Sequence, residues 1–182
     1  MTTFLALLRS INVGGRNKVP MAELRSLVGS LGFGNVATYL QSGNVVFTGA
    51  GPAAAAGKAI EEAITEHLGL TVPVLVRTDK QFAEVLRTSP FRALDVDPRT
   101  LHVTFLGDTP DPGAVRSLET DAVRFDPDRL EVAGGEVFLH CPGGYGETKL
   151  NNAFLERRLG VVATTRNWRT VTTLAEMAGV GA

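Results

Sequence analysis

Short apolar segments with strand-like and helix-like spacing alternate along the first half of the chain, and this order restricts the fold more than any other feature. Strand-like runs lie at residues 3–8, 36–40, 45–48 and 72–77. Between them, apolar residues recur at helical spacing after Pro20 and after Pro52, and Gly32 and Gly69 follow as helix ends. The resulting order, β-α-β-β-α-β, predicts a ferredoxin-like antiparallel sheet with both helices on one face.

The second half contains the same kinds of element in a less regular pattern. Strand-like runs lie at residues 101–106, 122–125, 130–132 and 137–140. Helical spacing is present from about Pro112 and in two segments near the end, with Asn167 as the predicted cap of the last helix and residues 164–169 as a loop. We therefore predict an α+β protein with a ferredoxin-like subdomain at residues 1–78. We predict that residues 79–182 form a related mixed α+β subdomain with two C-terminal helices.

Charge and composition exclude several classes of protein. Eighteen Lys and Arg against 19 Asp and Glu give a formal charge of -1, so no global basic field attracts nucleic acid or acidic lipid. The uncharged segment 26–57 is interrupted by glycine and asparagine, which argues against a membrane span. The single Cys141 has no intramolecular disulfide partner, and the apolar start is only five residues long. We expect a cytoplasmic protein without a membrane segment.

Motifs for metal binding, nucleophilic catalysis and dinucleotide binding do not match. The three histidines lack metal-site spacing, and Cys141 precedes Pro142 at a strand end, where a structural thiol is the commoner case. Residues 143–149 lack the Gly-Lys-Ser/Thr ending of a phosphate-binding loop. We expect no metal ion and no bound cofactor.

Four polar segments, at residues 9–18, 41–44, 145–152 and 164–169, are the candidate binding elements. The first, third and fourth of these segments lie at predicted helix entrances, where backbone N–H groups or cationic side chains can hold an anion. The residues of these segments that we predict to contact a ligand are Arg9, Asn12, Gly14, Gly15, Arg16, Lys18, Gln41, Asn44, Tyr145, Lys149, Asn152, Arg166 and Asn167.

The same segments carry a resemblance to a known family. The sequences FLALLRSINVGGRNK (residues 4–18), TYLQSGNVVF (38–47), YG (145–146) with KLNN (149–152), and ATTRNWRTV (163–171) are similar to the bacterial family called domain of unknown function 1697. Ser10 stands where that family usually has glycine. The resemblance implies a two-part α+β body of ferredoxin-like character, and it implies no reaction, cofactor or catalytic residue.

Three functions are compatible with these residues. In the leading hypothesis, the cations line a cleft between the subdomains and hold a phosphate-bearing small molecule or a nucleic-acid backbone, while asparagine and glutamine contact sugar or base edges. In the second, an enzyme uses the same cleft, with Lys149 or Tyr145 carrying a proton and Arg166 stabilising negative charge. In the third, the chain is a scaffold whose polar segments only fix loops. A closed pocket around a buried Lys149 would favour catalysis, a long open basic groove would favour nucleic acid, and scattered segments would favour the scaffold.

Overall fold

The computed structural model describes residues 1–180. Its first sheet has the strand order β2-β3-β1-β4, with every neighbouring pair antiparallel, and consists of β1 (Thr2–Leu8), β2 (Gly34–Tyr39), β3 (Asn44–Gly49) and β4 (Val74–Thr78). Helix α1 (Met21–Ser30) joins β1 to β2, and α2 (Ala53–Leu68) joins β3 to β4. Helix α3 (Asp79–Thr88) follows β4 directly.

One hydrophobic core joins both crossover helices to the same face of this sheet. Phe4, Ala6 and Leu8 alternate along β1 and are fully buried. They belong to one cluster with Leu24 of α1 and Ile60 of α2. Since side chains at i and i+2 of a strand share a face, α1 and α2 both pack on the face that carries these three β1 side chains.

The second sheet repeats the order of the first. Its strands, in the order β6-β7-β5-β8, are β5 (Leu101–Leu106), β6 (Arg129–Ala133), β7 (Glu136–His140) and β8 (Ala163–Asn167). Helix α4 (Pro112–Asp121) joins β5 to β6, α5 (Asn152–Leu159) joins β7 to β8, and α6 (Trp168–Met177) follows β8 directly. From β5 onward the chain therefore repeats β-α-β-β-α-β followed by a helix, with the same strand order.

Two of the secondary-structure predictions for the second half are wrong. Residues Ala122–Phe125 form a short 3-10 helix rather than a strand, because α4 ends in a residue of helical conformation and the chain continues that turn. Residues 163–167, expected within or beside a loop, form the edge strand β8, which pairs with β5. The β-branched pair Thr164 and Thr165 is suited to a strand, but the polar residues that follow it suggested a loop.

The protein is thus a mixed α+β protein with two four-stranded antiparallel sheets. It divides into two compact units, one made of Met1–Ala83 with the chain from Leu174 onward, the other of Glu84–Thr173. The predicted subdomain limits, 1–78 and 79–182, stay a prediction. Within residues 1–180, no helix has the length and apolar character needed to cross a membrane.

Candidate functional site

The segment that follows β1 is a tightly wound hairpin rather than an extended linker. Ser10, Asn12, Gly14, Gly15 and Asn17 all have positive φ, between 47° and 75°. The Arg16 amide donates to the Val13 carbonyl at 3.0 Å, which closes the turn at the tip. Two of the five are glycines and two are asparagines, the residue types that adopt this conformation most easily.

The side-chain amide of Asn12 fixes the base of this hairpin. Its Nδ2 donates to the Val19 carbonyl at 3.0 Å and to the Gln41 carbonyl at 2.8 Å. Its Oδ1 accepts a hydrogen bond from the Val19 amide at 2.9 Å. Both N–H bonds of the amide are therefore used inside the protein. Asn12 joins the hairpin to the start of α1 and to the turn between β2 and β3.

The turn between β2 and β3 packs directly against the hairpin. Leu40 and Gly43 have positive φ, and the Gly43 amide donates to the Leu40 carbonyl at 3.3 Å. The Leu8 amide in turn donates to the Gly43 carbonyl at 2.9 Å. A Cβ on Gly43 would lie 2.5 Å from Cδ1 of Ile11 and 2.9 Å from Cβ of Leu8, so only glycine fits here.

The buried side chain of Asn44 stabilises the same turn by hydrogen bonds. It is fully buried, and its Nδ2 donates to the Tyr39 carbonyl at 2.7 Å and to Oγ of Ser42 at 3.1 Å. Residues 9–18 and 40–44 therefore form one continuous surface, which we call the loop pair. The first two predicted segments meet in this surface, although they are separated by α1 and β2 in the sequence.

The loop pair combines exposed cations with exposed apolar side chains. Its three cations are Arg9, Arg16 and Lys18, and it contains no Asp or Glu. Arg16 and Lys18 are exposed, and their side chains form no hydrogen bond or ion pair with any residue in 1–180. Val13 is 66% exposed and Leu40 is 51% exposed. The surface is open, positively charged and partly apolar.

The third and fourth predicted segments lie in the other unit. Three of their predicted ligand contacts, Tyr145, Asn152 and Asn167, lie at one face of the second sheet. Thr165 on β8 donates to Oδ1 of Asn152 at 2.6 Å, and its Oγ1 lies 2.7 Å from Oγ1 of Thr104 on β5. Asn167 is two residues further along β8, and its Oδ1 caps α6 by accepting from the Thr170 amide at 2.8 Å. Asn152 and Asn167 therefore serve local structure.

Tyr145 approaches this face through a ring contact. Its ring stacks on that of His102, with ring centroids 4.9 Å apart and an angle of 27° between the planes. Burial lowers the pKa of His102, and a backbone contact with Thr100 opposes the shift. Sequence reasoning considered His102 only as a metal ligand, and no local pattern indicated its position beside Tyr145.

Arg166 and Lys149 are placed differently. Arg166 is only 7% exposed, and its guanidinium donates to Oγ1 of Thr164 at 2.8 Å and to the Thr165 carbonyl at 3.0 Å. Because successive strand residues alternate, Arg166 lies on the opposite face of β8 from Thr165 and Asn167. Lys149 is exposed, so the buried lysine expected for a catalytic site is not present at this position.

Cys141 is buried, as expected for a structural thiol. Burial raises the pKa of Cys141 to about 11, an effect that the side-chain hydrogen bond between Cys141 and Thr148 opposes and the Asp128 carboxylate reinforces. Thr148 itself donates to Oδ2 of Asp128 at 2.6 Å. A thiol in this state stays protonated at neutral pH and is a poor nucleophile.

Two cavities in the described chain lie away from the candidate residues. One is in the second unit and is lined by Phe91, Ala122, Val123, Asp126, Asp128, Arg129, Leu130 and Glu131. The other is beside α2 and is lined by Lys58, Glu61, Glu62, Thr65, Glu66, Thr71, Val72 and Pro73. Neither contains a residue of the four predicted segments. Within residues 1–180, no three His, Cys, Asp or Glu side chains are grouped closely enough to hold a metal ion.

The hairpin and the turn that form the loop pair are both part of a recognised family pattern. The model of a protein family of unknown function, DUF1697, matches residues 1–138. The chain belongs to the DUF1697 family. This confirms the resemblance seen in the sequence, and the matched residues include the whole loop pair. The segments at 145–152 and 163–171 lie beyond the matched residues.

A solved structure extends the similarity to nearly the whole length of this DUF1697 member. The chain is similar to a conserved bacterial protein, SP0830, from Streptococcus pneumoniae, with 25% sequence identity and a TM-score of 0.78. The match covers 97% of this chain and 98% of that one. No protein with a curated description matches the sequence.

Proposed function

We propose that this DUF1697 member binds a phosphate-bearing ligand at the loop pair. The observation that supports this most directly is the state of Arg16 and Lys18, which are exposed, close in sequence and without an ion pair among residues 1–180. The loop pair contains no carboxylate, so these two cations have no opposite charge within their own loops. Its positive charge is therefore available to an anion from outside.

The backbone of the hairpin is better suited to bind a phosphate group than an uncharged apolar ligand. Gly14 and Gly15 form the tip, and no atom lies within 4 Å of the place where a Cβ would be on either. A ligand can therefore approach the backbone of the tip without meeting a side chain of these two residues, and arginine adds paired donors that match the geometry of phosphate oxygens. The positive φ values are set by the fold, so the tip is shaped before a ligand arrives.

The other residues that we predicted to contact a ligand have different roles in this proposal. The amide N–H groups of Asn12 and Asn44 are used within the loops, so we assign these residues to shaping the site and Gln41 to contacting the ligand. Contacts from Tyr145, Lys149, Asn152, Arg166 and Asn167, and a cleft between subdomains, stay predictions. The enzyme and scaffold alternatives remain the outcomes against which the proposal is tested.

A thermal-shift titration tests the proposal. A ligand at a hundredfold excess over its Kd stabilises the native state by about 2.7 kcal/mol, which corresponds to a rise in Tm of about 5–10 °C for a chain of this size. The probes are ATP, pyrophosphate and a short oligonucleotide at low salt. The double variant Arg16→Ala/Lys18→Ala should lose the shift. Arg25→Ala, which removes an exposed cation from α1, is the control and should keep it.

Two results would contradict the proposal. One is the absence of any shift with every phosphate-bearing probe, which would favour the scaffold alternative. The other is an equal shift in wild type and in Arg16→Ala/Lys18→Ala, which would place the binding site elsewhere in the chain.

For the fold, we propose that both units are ferredoxin-like. The support is that each has the element order β-α-β-β-α-β and that the two sheets share one strand order. An experimental structure in which either sheet had a different strand order would contradict this assignment.

A further inference from the structure

We infer that the ligand of the loop pair is single-stranded nucleic acid. This inference rests on the proposed function and adds the class of ligand to it. It starts from two apolar side chains, Val13 and Leu40, that the fold holds beside the cations and leaves 66% and 51% exposed.

A hydrogen bond directly connects the two loops that carry these side chains. Nδ2 of Asn12 donates to the Gln41 carbonyl at 2.8 Å, and each of these residues is the sequence neighbour of one of the apolar pair. Leu40 also has φ of 58°, a left-handed conformation that is unfavourable for a bulky residue. A strained and exposed leucine adds little to stability, and such residues concentrate at binding sites.

The chemistry of this surface fits a strand of nucleic acid with unpaired bases. Cations contact phosphates, and apolar side chains can pack against the flat faces of bases that are unstacked and unpaired, as they do against a flipped base. Gln41 is exposed, and its side-chain amide has no partner within residues 1–180, so its donors and acceptor are available to base edges. A duplex offers the phosphates without the base faces.

Two other phosphate-bearing partners fit less well. A free nucleotide is usually held in a cavity that covers most of its surface, whereas Val13, Arg16, Lys18 and Leu40 are all exposed. A bilayer of anionic lipid would attract the cations, but insertion of Val13 and Leu40 would bring the exposed polar side chains of Ser10 and Gln41 against hydrocarbon. Bases offer these groups hydrogen bonds, and hydrocarbon does not.

Fluorescence anisotropy with a labelled oligonucleotide of about 10 nucleotides tests the inference. The informative variant is Leu40→Asn, because asparagine tolerates the left-handed conformation and removes the apolar side chain. It should keep the Tm of the wild type and bind the single strand about tenfold more weakly. The matched control is Leu94→Asn, which replaces a leucine that is 39% exposed in the other unit and should bind as the wild type does.

The salt dependence gives a second readout. Phosphate contacts from Arg16 and Lys18 predict that log K falls against log salt with a slope of about -1.4 for a single strand. Arg16→Ala should reduce this slope by about 0.7, and Leu40→Asn should leave it unchanged, because the leucine makes no contact with phosphate.

The competing ligands decide the outcome. Tighter binding of the single strand than of a duplex of the same length, of ATP or of vesicles containing phosphatidylserine supports the inference. Equal or tighter binding of any of these, or wild-type affinity in Leu40→Asn, overturns the inference. In that case the proposed function still stands if Arg16→Ala/Lys18→Ala abolishes phosphate binding. Failure of every phosphate-bearing probe to bind overturns both.

Discussion

Replacing Asn12 should destabilise the protein more than its partly exposed position suggests. Asn12→Ala removes three hydrogen bonds, two to backbone carbonyls and one from the amide of the fully buried Val19. At about 1 kcal/mol each, their loss lowers the free energy of unfolding by about 3 kcal/mol. Alanine at φ of 52° adds a further cost of about 1 kcal/mol. The expected total is about 4 kcal/mol, or a Tm lower by about 8–16 °C.

Two further variants separate these contributions. Asn12→Gly loses the same hydrogen bonds but tolerates the positive φ, so it should be about 1 kcal/mol more stable than Asn12→Ala. Asn12→Asp keeps the acceptor for Val19 but directs a carboxylate oxygen at the carbonyls of Val19 and Gln41, so it should be no better than the glycine variant. Urea unfolding followed by circular dichroism gives the three values. A loss below about 1 kcal/mol in Asn12→Ala, or wild-type stability in Asn12→Asp, would refute the role assigned to this amide.

Three other predictions follow from the described contacts. Because burial lowers the pKa of His102 below 6.5, its contribution to stability is present above about pH 6.5 and is lost as the pH falls further; His102→Phe should flatten the dependence of Tm on pH between 7 and 5, and an unchanged profile would be inconsistent with this account. Cys141, with a pKa of about 11, should react with a thiol reagent at pH 8 only after urea unfolding, so rapid labelling of the native protein would contradict its burial. Gly43→Ala should lower the Tm more than Gly69→Ala, since both positions have positive φ but only Gly43 lies against Ile11 and Leu8; equal losses would show that backbone strain alone decides.

Most of the fold was predictable because the residues that begin and end its helices are recognisable from the local sequence. Pro20 and Pro52 directly precede α1 and α2, and Gly69 follows α2 in the left-handed conformation. The strand at residues 163–167 was not predictable in this way. Its hydrogen-bonding partner, β5, lies about sixty residues earlier in the chain, and pairing with β5 is what makes a short polar segment extended. The pairing with β5, and not the local sequence, therefore determines that residues 163–167 form a strand.

The candidate site was predictable as segments and not as an arrangement. The cations of residues 9–18 stand out by composition, but their proximity to residues 40–44 depends on β1 and β3 being neighbours in the sheet. Asparagine presents a further ambiguity, since an amide that contacts a ligand and one that fixes a loop use the same donors and acceptor. Only the positions of the Val19 and Gln41 carbonyls assign Asn12 to the loop.

The hydrogen bonds at the base of the hairpin also determine how its amides exchange with deuterated water. The amides of Leu8, Asn12 and Val19 donate to acceptors within the loop pair, so their exchange requires the loop pair to open. Gly14 and Gly15 lie at the exposed tip and exchange without any opening. A single peptide that spans residues 8–19 should therefore show two populations of amides, one exchanging within seconds and one reporting the stability of the surrounding sheet.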